Sequence, residues 1–379
     1  MDMEQLNAIV RELSRISPEN HPFISLYLDM QVDQNGLRPS LTYTKNALIR
    51  QARFYGPRGS DLESFEADAQ KIEELLAGNF DPSAKGLAVF ACAARGFFKA
   101  VPLRLAPESR LVVAQAPRVY QLARFLDDYE TYCVAVVSRT SARIYTIALG
   151  DIDEMKALAQ PAWRLSKTLA GGWSQKYYQR HVDQNIRRFA QETVEEIKKV
   201  CLEQHVGHLV LAGEAVILDD VERTLPQELV DSAIKVGRLD ARSPEHQILA
   251  EIMPIVRSHE RTEERDIIQE LEETAAAGDL AVLGVEPTLF ALEQAQVDQL
   301  VMSRDFAAVG WRCQACMSYG SGGQPDVCPY CGGEPIQVDL RESMVGAASR
   351  TDATIEFVKD APNLDMLGGV GAFLRYPLI

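Results

Sequence analysis

The 379-residue sequence has no apolar run approaching the ~20 residues needed to cross a bilayer. Its first residues, Met1 to Glu12, are polar and acidic where a secretory signal would be basic and then apolar. The two absences point to a cytoplasmic chain with no membrane partner. Positive charge is also short. The sequence has 39 Lys+Arg against 54 Asp+Glu, a net charge of -15. That argues against sequence-independent binding to naked DNA, where cations must neutralise phosphates. There are seven cysteines, an odd number, and no secretion signal, so a disulfide framework is not expected. The six histidines show no metal-ligand spacing. His205 and His208 are three apart, at a helix end and a strand start, and read as structural. No Ser/His/Asp or Cys/His arrangement, internal repeat or low-complexity tract is visible. No catalytic residue is nominated from these patterns.

What is present suits a globular protein. The hydrophobic fraction is 46% and the charged fraction 25%. At this length two or three domains are expected. Basic residues gather in two places despite the acidic total. Gln34 to Ser60 holds Arg38, Lys45, Arg50, Arg53 and Arg58 with no acid. Arg164 to Gln191 holds Arg164, Lys167, Lys176, Arg180, Arg187 and Arg188 against Asp183 alone. Such patches suit structured RNA, or are simply two solvated helix faces.

Period and breakers outline the elements. Met3 to Ile16 reads as an amphipathic helix and Phe23 to Leu28 as a strand. Helices follow over Leu41 to Tyr55 and Asp61 to Leu76, then a strand pair at Gly86 to Phe90 and Gly96 to Val101. Tyr132 to Val137 and Ala142 to Ala148 read as paired strands. Glycines 171 and 172 precede a long helix, about Ser174 to Glu203, basic in its first half and acidic in its second. His208 to Ala212 reads as a buried strand. Pro244 to Ala277 is mostly charged helix. Strands at Asp279 to Gly284, Gln299 to Met302 and Thr354 to Val358 alternate with helices at Pro287 to Glu293 and Ser343 to Arg350. The alternation predicts α/β layers, divided as 1–126, 127–242 and 243–379.

Cys92, Cys133 and Cys201 stand among apolar residues and read as buried free thiols. Cys313, Cys316, Cys328 and Cys331 form two CxxC pairs eleven residues apart. Each pair fits a tight knuckle, so four thiolates converge on one cation at ~2.3 Å in a tetrahedron. Gly332 and Gly333 allow the positive φ such a turn needs. A structural zinc ribbon over 311–335 is expected; an iron–sulfur centre, a redox pair and chance are the alternatives. Four protein ligands leave no open position for catalysis.

Four segments, in order, resemble class-1 peptide release factors of the archaeal and eukaryotic type and their relative Pelota. Gly171-Gly-Trp-Ser-Gln-Lys-Tyr-Tyr-Gln-Arg180 resembles the signature loop and helix, in which Gly-Gly-Gln-Ser leads an aromatic, arginine-bearing helix. Val210-Leu-Ala-Gly213 is similar to the strand that follows. Asp279 to Glu286, with Ala291 to Glu293 and Val297 to Val301, resembles the start of the C-terminal domain. Leu367-Gly-Gly-Val-Gly-Ala-Phe-Leu-Arg-Tyr376 is similar to the closing motif. The N-terminal segment has no codon-reading Asn-Ile-Lys-Ser loop, and Thr44-Lys45-Asn46 is no substitute. The combination resembles the bacterial release-factor-like family that includes Balon-like ribosome hibernation factors.

The resemblance implies a three-domain α/β architecture with a C-terminal zinc-ribbon insertion. It also implies binding in the ribosomal A site, beside elongation factor Tu or another translational GTPase. Loop residues Gly171, Gly172, Trp173, Ser174 and Gln175 would lie near the peptidyl-transferase centre. Lys176, Tyr177, Arg180, His181, Arg187 and Arg188, with Lys45, Arg50 and Arg53, would contact RNA. Trp173 stands where the family places glutamine. Indole has one donor and no acceptor, so it can stack on a base but cannot copy an amide. Hibernation or protection of idle ribosomes is thus expected rather than hydrolysis. A rescue-type peptidyl-tRNA hydrolase, acting through the residue-173 backbone N–H or through Gln175, and a non-ribosomal RNA adaptor are the alternatives. Gly322-Gly323-Gln324 also spells the tripeptide, but within the ribbon and with no basic helix after it, and is taken as chance.

Overall fold

The computed structural model describes residues 3–78, 80–81, 84–127, 131–148, 151–159, 173–204, 206–231, 233–237 and 239–377. They divide into two compact units, 1–127 with 264–379, and 128–263.

The first unit opens with helix α1 (Met3–Ser14), strand β1 (Phe23–Asp29), helices α2 (Pro39–Ala52) and α3 (Ser60–Leu76), strands β2 (Gly86–Cys92), β3 (Phe97–Leu103) and β4 (Arg110–Ala114), and helix α4 (Tyr120–Asp127). The strands form an antiparallel sheet in the order β3-β2-β1-β4. β1 and β2 are buried along nearly their whole length. Their apolar run is continuous because helices cover both faces. Leu48, Phe65 and Ile72 of α2 and α3 pack on one face with Ile24, Leu26 and Leu28. Leu6, Val10 and Leu13 of α1 pack with Phe23, Tyr27 and Phe90 of the other.

The second unit contains strands β5 (Thr131–Val137), β6 (Ser141–Ala148) and β7 (Asp151–Ala159), helix α5 (Trp173–Glu203), strand β8 (His208–Gly213), helices α6 (Ala215–Glu222) and α7 (Gln227–Asp231), strand β9 (Ala233–Val236) and the first part of helix α8 (Glu245–Ala276). Its mixed sheet runs β7-β6-β5-β8-β9; β5, β8 and β9 are parallel and the β5-β6-β7 meander is antiparallel. Alternate β5 residues serve opposite cores, as the pleat requires. Cys133, Ala135 and Val137 meet α5 through Ile186, Phe189, Ala190, Val194 and Ile197. Tyr132, Val134 and Val136 meet α8 through Ile248, Ile252 and Val256. The spacing of the α8 residues by four makes one helical stripe. At the β5–β8 junction a Cβ on Gly213 would lie 1.9 Å from the Val137 carbonyl oxygen, and its φ is +136°.

The chain then returns to the first unit with β10 (Ala281–Leu283), α9 (Val285–Glu293), β11 (Val297–Ser303), β12 (Val309–Cys313), β13 (Tyr319–Ser321), β14 (Pro335–Asp339), α10 (Leu340–Arg350), β15 (Thr354–Val358), α11 (Pro362–Met366) and β16 (Val370–Leu374). A four-stranded sheet runs β10-β16-β11-β15 and a three-stranded one β13-β12-β14. Met344, Val345 and Ala348 of α10 share one core with Leu6, Val10 and Leu13 of α1 and Leu122 of α4. Among the described residues, no helix is long and apolar enough to cross a membrane.

Candidate metal centre and nucleic-acid interface

The four clustered cysteines sit on the small sheet. Cys313 ends β12, Cys316 lies on the turn into β13, and Cys328 and Cys331 lie on the turn before β14. The two turns are built alike. The Met317 N–H donates to the Cys313 carbonyl at 3.1 Å, and the Gly332 N–H to the Cys328 carbonyl at 2.9 Å. Residues 317 and 332 have φ of +66° and +73°. Glycine meets that need at 332, whereas Met317 is held in the left-handed region at a cost of ~1–3 kcal/mol. The first knuckle therefore forms without the glycine that marks the second in sequence.

The sulfurs converge. Cys313 Sγ lies 3.5 Å from Cys331 Sγ, and Cys316 Sγ 3.6 Å from Cys328 Sγ. A tetrahedron with metal–sulfur bonds of ~2.3 Å has edges of ~3.8 Å, so the cluster is already close to ligand geometry. Backbone N–H groups point at the sulfurs: Ala315 and Cys316 at Cys313, 3.3 and 3.5 Å away, and Gly333 at Cys331, 3.4 Å away. The Cys316 N–H, then that of Ala315, lowers the Cys313 thiol. The Ser318 hydroxyl and N–H bring Cys316 down to about 6. Despite the Gly333 N–H, Cys331 is pushed up to about 12 by the neighbouring Cys316 and Cys313. A site that stabilises some thiolates while crowding the next suits a cation. Space points the same way. A Cβ on Gly333 would lie 2.8 Å from Ala315 Cβ and 3.1 Å from Cys313 Sγ. A Cβ on Gly320 would strike the Trp311 ring at 2.6 Å. The cluster can hold a metal ion.

Cys92, Cys133 and Cys201 are buried free thiols. The 322–324 tripeptide lies in the ribbon, where Gln324 Nε2 donates to the Pro335 carbonyl at 2.7 Å and ties the loop to β14.

The first basic segment lies on and just after α2. Ser40, Thr44, Ala47 and Leu48 face inward. Lys45, Arg50, Arg53 and Arg58 are exposed. Arg38 differs: its Nε donates to the Met30 carbonyl at 3.1 Å and its guanidinium covers the Phe80 ring. The exposed face also carries Ile49 and Phe54, the latter 81% exposed. Sequence reasoning passed over Phe54. An exposed ring followed by bases and preceded by them was the available signal, since such interleaving suits single-stranded RNA.

The second segment lies on α5. Arg187 and Arg188 are exposed, on the side opposite Ile186 and Phe189. Arg188 Nε pairs with Glu192 Oε1 at 3.1 Å. A solvated i,i+4 pair is worth ~0.3–0.5 kcal/mol and yields readily to a phosphate. Trp173, Ser174, Gln175, Lys176, Tyr177, Arg180 and His181 lie in the first turns of α5. Their side chains fall outside the described residues, as do Gly171 and Gly172 altogether.

Residues 117–257, which include the whole second-unit sheet and α5, match bacterial archaeo-eukaryotic release factor family 10. The likeness to that release-factor family covers the middle of the chain. Solved structures similar to this chain include the archaeal translation termination factor aRF1, at 13% identity over 99% of this chain and 99% of that one, with a TM-score of 0.27. The S. cerevisiae translation termination-like factor Dom34 is 10% identical over 79% and 82%, with a TM-score of 0.42. Archaeoglobus fulgidus Pelota is 14% identical over 77% and 79%, with a TM-score of 0.31. No curated protein matches the chain. Within the matched span, α5 carries most of the first segment of the resemblance drawn from sequence, and β8 carries the second.

Proposed function

We propose that this release-factor-like chain is a ribosome-binding translation factor that occupies the A site of vacant or stalled ribosomes. The observation that carries the reading is the altered tripeptide: Gly171-Gly172-Trp173 leads the long helix α5 inside the family-matched span. In this reading loop 171–175 enters the peptidyl-transferase centre as a stacking plug. Lys176, Tyr177, Arg180, His181, Arg187 and Arg188 hold rRNA. Lys45, Arg50 and Arg53 contact RNA elsewhere in the same site. The four cysteines hold a structural zinc, whose chemistry is confined to bracing the ribbon. The C-terminal segment 243–379 faces elongation factor Tu or another translational GTPase, and the outcome is protection of idle ribosomes in the cytoplasm without peptidyl-tRNA hydrolysis.

The test is co-sedimentation with vacant ribosomes at physiological salt. The wild-type chain is expected to co-migrate. Changing Arg187 and Arg188 to alanine removes two phosphate contacts, so the slope of log affinity against log salt should fall by about two. Absence of co-migration by the wild type sinks the reading. Peptide release from stalled complexes that is lost in a Gly171→Ala, Gly172→Ala chain overturns the non-hydrolytic part.

A further inference from the structure

The second unit brings together three metal-ligating side chains that lie far apart in sequence. His208 opens β8, and His259 and Glu263 lie one turn apart on α8. The meeting follows from register and period. β8 pairs with β5 in parallel, placing His208 beside Tyr132. The Tyr132 and His208 rings stack at 5.2 Å with 24° between their planes. On α8 the stripe that packs on this sheet is Ile248, Ile252 and Val256. Continuing at helical spacing, the same stripe reaches Glu260 and Glu263, with His259 beside them. It turns polar where it meets the start of β8. The Tyr132 hydroxyl donates to Glu260 Oε1 at 3.1 Å, which ties the stacked tyrosine to the helix.

The donor atoms already stand at ligand separations. His259 Nε2 lies 3.1 Å from Glu263 Oε1, and His208 Nδ1 lies 3.8 Å from the same oxygen. All three donors fall within 4.8 Å of one another. Zinc bonds to nitrogen and oxygen of ~2.0–2.1 Å give a tetrahedral edge of ~3.3 Å, which the two measured separations bracket. The side chains are 19%, 34% and 39% exposed for His208, His259 and Glu263, so an ion can enter from solvent. The stack on Tyr132 fixes the plane of one imidazole, the supporting role that a second layer plays around metal ligands.

We infer that His208, His259 and Glu263 form a second metal site, for a divalent transition ion such as zinc, independent of the four cysteines. Two imidazoles and one carboxylate give a neutral-nitrogen, hard-oxygen donor set suited to zinc, cobalt or nickel rather than magnesium or calcium. Three protein donors leave one position for water, unlike the closed four-cysteine set. A bound ion would pin α8 to the start of β8, where apolar packing gives out.

The experiment is metal counting on the full chain. Purified protein is loaded with Zn2+, freed of excess, and analysed for bound metal, alongside His259→Ala, Glu263→Gln and a Cys316→Ser, Cys331→Ser chain. The wild type is expected to hold one equivalent more than either the His259 or the Glu263 variant. The cysteine variant is expected to keep the equivalent that the other two lose. Loading that cysteine variant with Co2+ should give visible ligand-field bands without thiolate-to-metal charge transfer. His259 and Glu263 are partly exposed helix positions, and Glu263→Gln changes one atom, so circular dichroism should show both variants folded. Equal metal content in wild type, His259→Ala and Glu263→Gln overturns the inference. So does a cysteine variant that binds no Co2+, which would reduce the cluster to an ion-paired His–Glu contact.

Discussion

Single buried carboxyls show how far this fold departs from surface chemistry. Asp68 of α3 is fully buried. Its Oδ2 accepts the Ala93 N–H at 2.8 Å, while Oδ1 is buried without a partner among the described residues. Burial pushes its carboxyl up to about 6 from 3.8, against the opposing Ala93 N–H and Lys71. The folded chain therefore holds this proton more tightly than the unfolded chain does. Between about pH 4 and pH 6 the group's contribution to stability falls as pH rises, and the penalty is complete above that range. Asp68→Asn keeps an acceptor for Ala93 and abolishes the charge. It should stabilise the first unit at pH 7.5 by on the order of 1–2 kcal/mol and leave it nearly unchanged at pH 4. Denaturant melts of both chains at the two pH values check this; an equal difference at both would refute it. Glu342 is the second such group. It accepts the N–H groups of Val119 and Tyr120 at 2.9 and 3.1 Å, serving the start of α4 from α10. Burial raises its carboxyl, with Arg118 opposing.

At the scale of elements, the ribbon offers the sharpest mutational test. Gly333 has no room for a Cβ between Ala315 and the Cys313 and Cys331 sulfurs. Its N–H also supports Cys331. If the cluster takes up zinc as proposed, Gly333→Ala should weaken that binding by tenfold or more, since even outer-layer changes cost 10–100-fold. Competition with a chromogenic chelator measures it, and unchanged affinity would mean the knuckle tolerates displacement. The same elements show what could be read from sequence. The long helix expected from Ser174 to Glu203 runs Trp173–Glu203, and the strand expected at Thr354 to Val358 has those bounds. Both have a clear period or clear breakers. β7 was not foreseen because Asp151, Asp153, Glu154 and Lys156 dilute its alternation, which an edge strand tolerates. β16 was read as a glycine-rich motif; a Cβ on Gly371 would lie 2.8 Å from the Val282 carbonyl oxygen and 2.9 Å from Leu271 Cδ2, which leaves room for glycine alone. The CxxC pairs announce themselves through local spacing. The His208–His259–Glu263 cluster gives no such signal, because 50 intervening residues separate the two histidines.

Across the whole molecule, the N-terminal and C-terminal segments share one core, and the middle segment has its own. Tyr120 packs edge-on against Phe357 at 5.4 Å, and the Arg341 guanidinium lies 4.2 Å from the Tyr120 ring centroid. Arg304 pairs with Asp127 at 3.6 Å, both largely buried, and Arg350 Nη1 donates to the Ser14 carbonyl at 3.3 Å. Removing residues 1–127 would expose the α10 face formed by Met344, Val345 and Ala348. Burying such side chains is worth ~1.5–3 kcal/mol each for the larger ones, a large part of typical domain stability. The middle segment is different. Its sheet has apolar helices on both faces, with Phe189, Val194 and Ile197 on one and Ile248, Ile252 and Val256 on the other. A fragment of residues 128–276, which keeps α8 whole, should therefore unfold in one cooperative transition. A fragment of residues 264–379 alone should aggregate or bind a hydrophobic dye, and regain solubility when co-expressed with 1–127. A soluble, cooperatively melting 264–379 fragment would show that the C-terminal segment forms a core without its N-terminal complement.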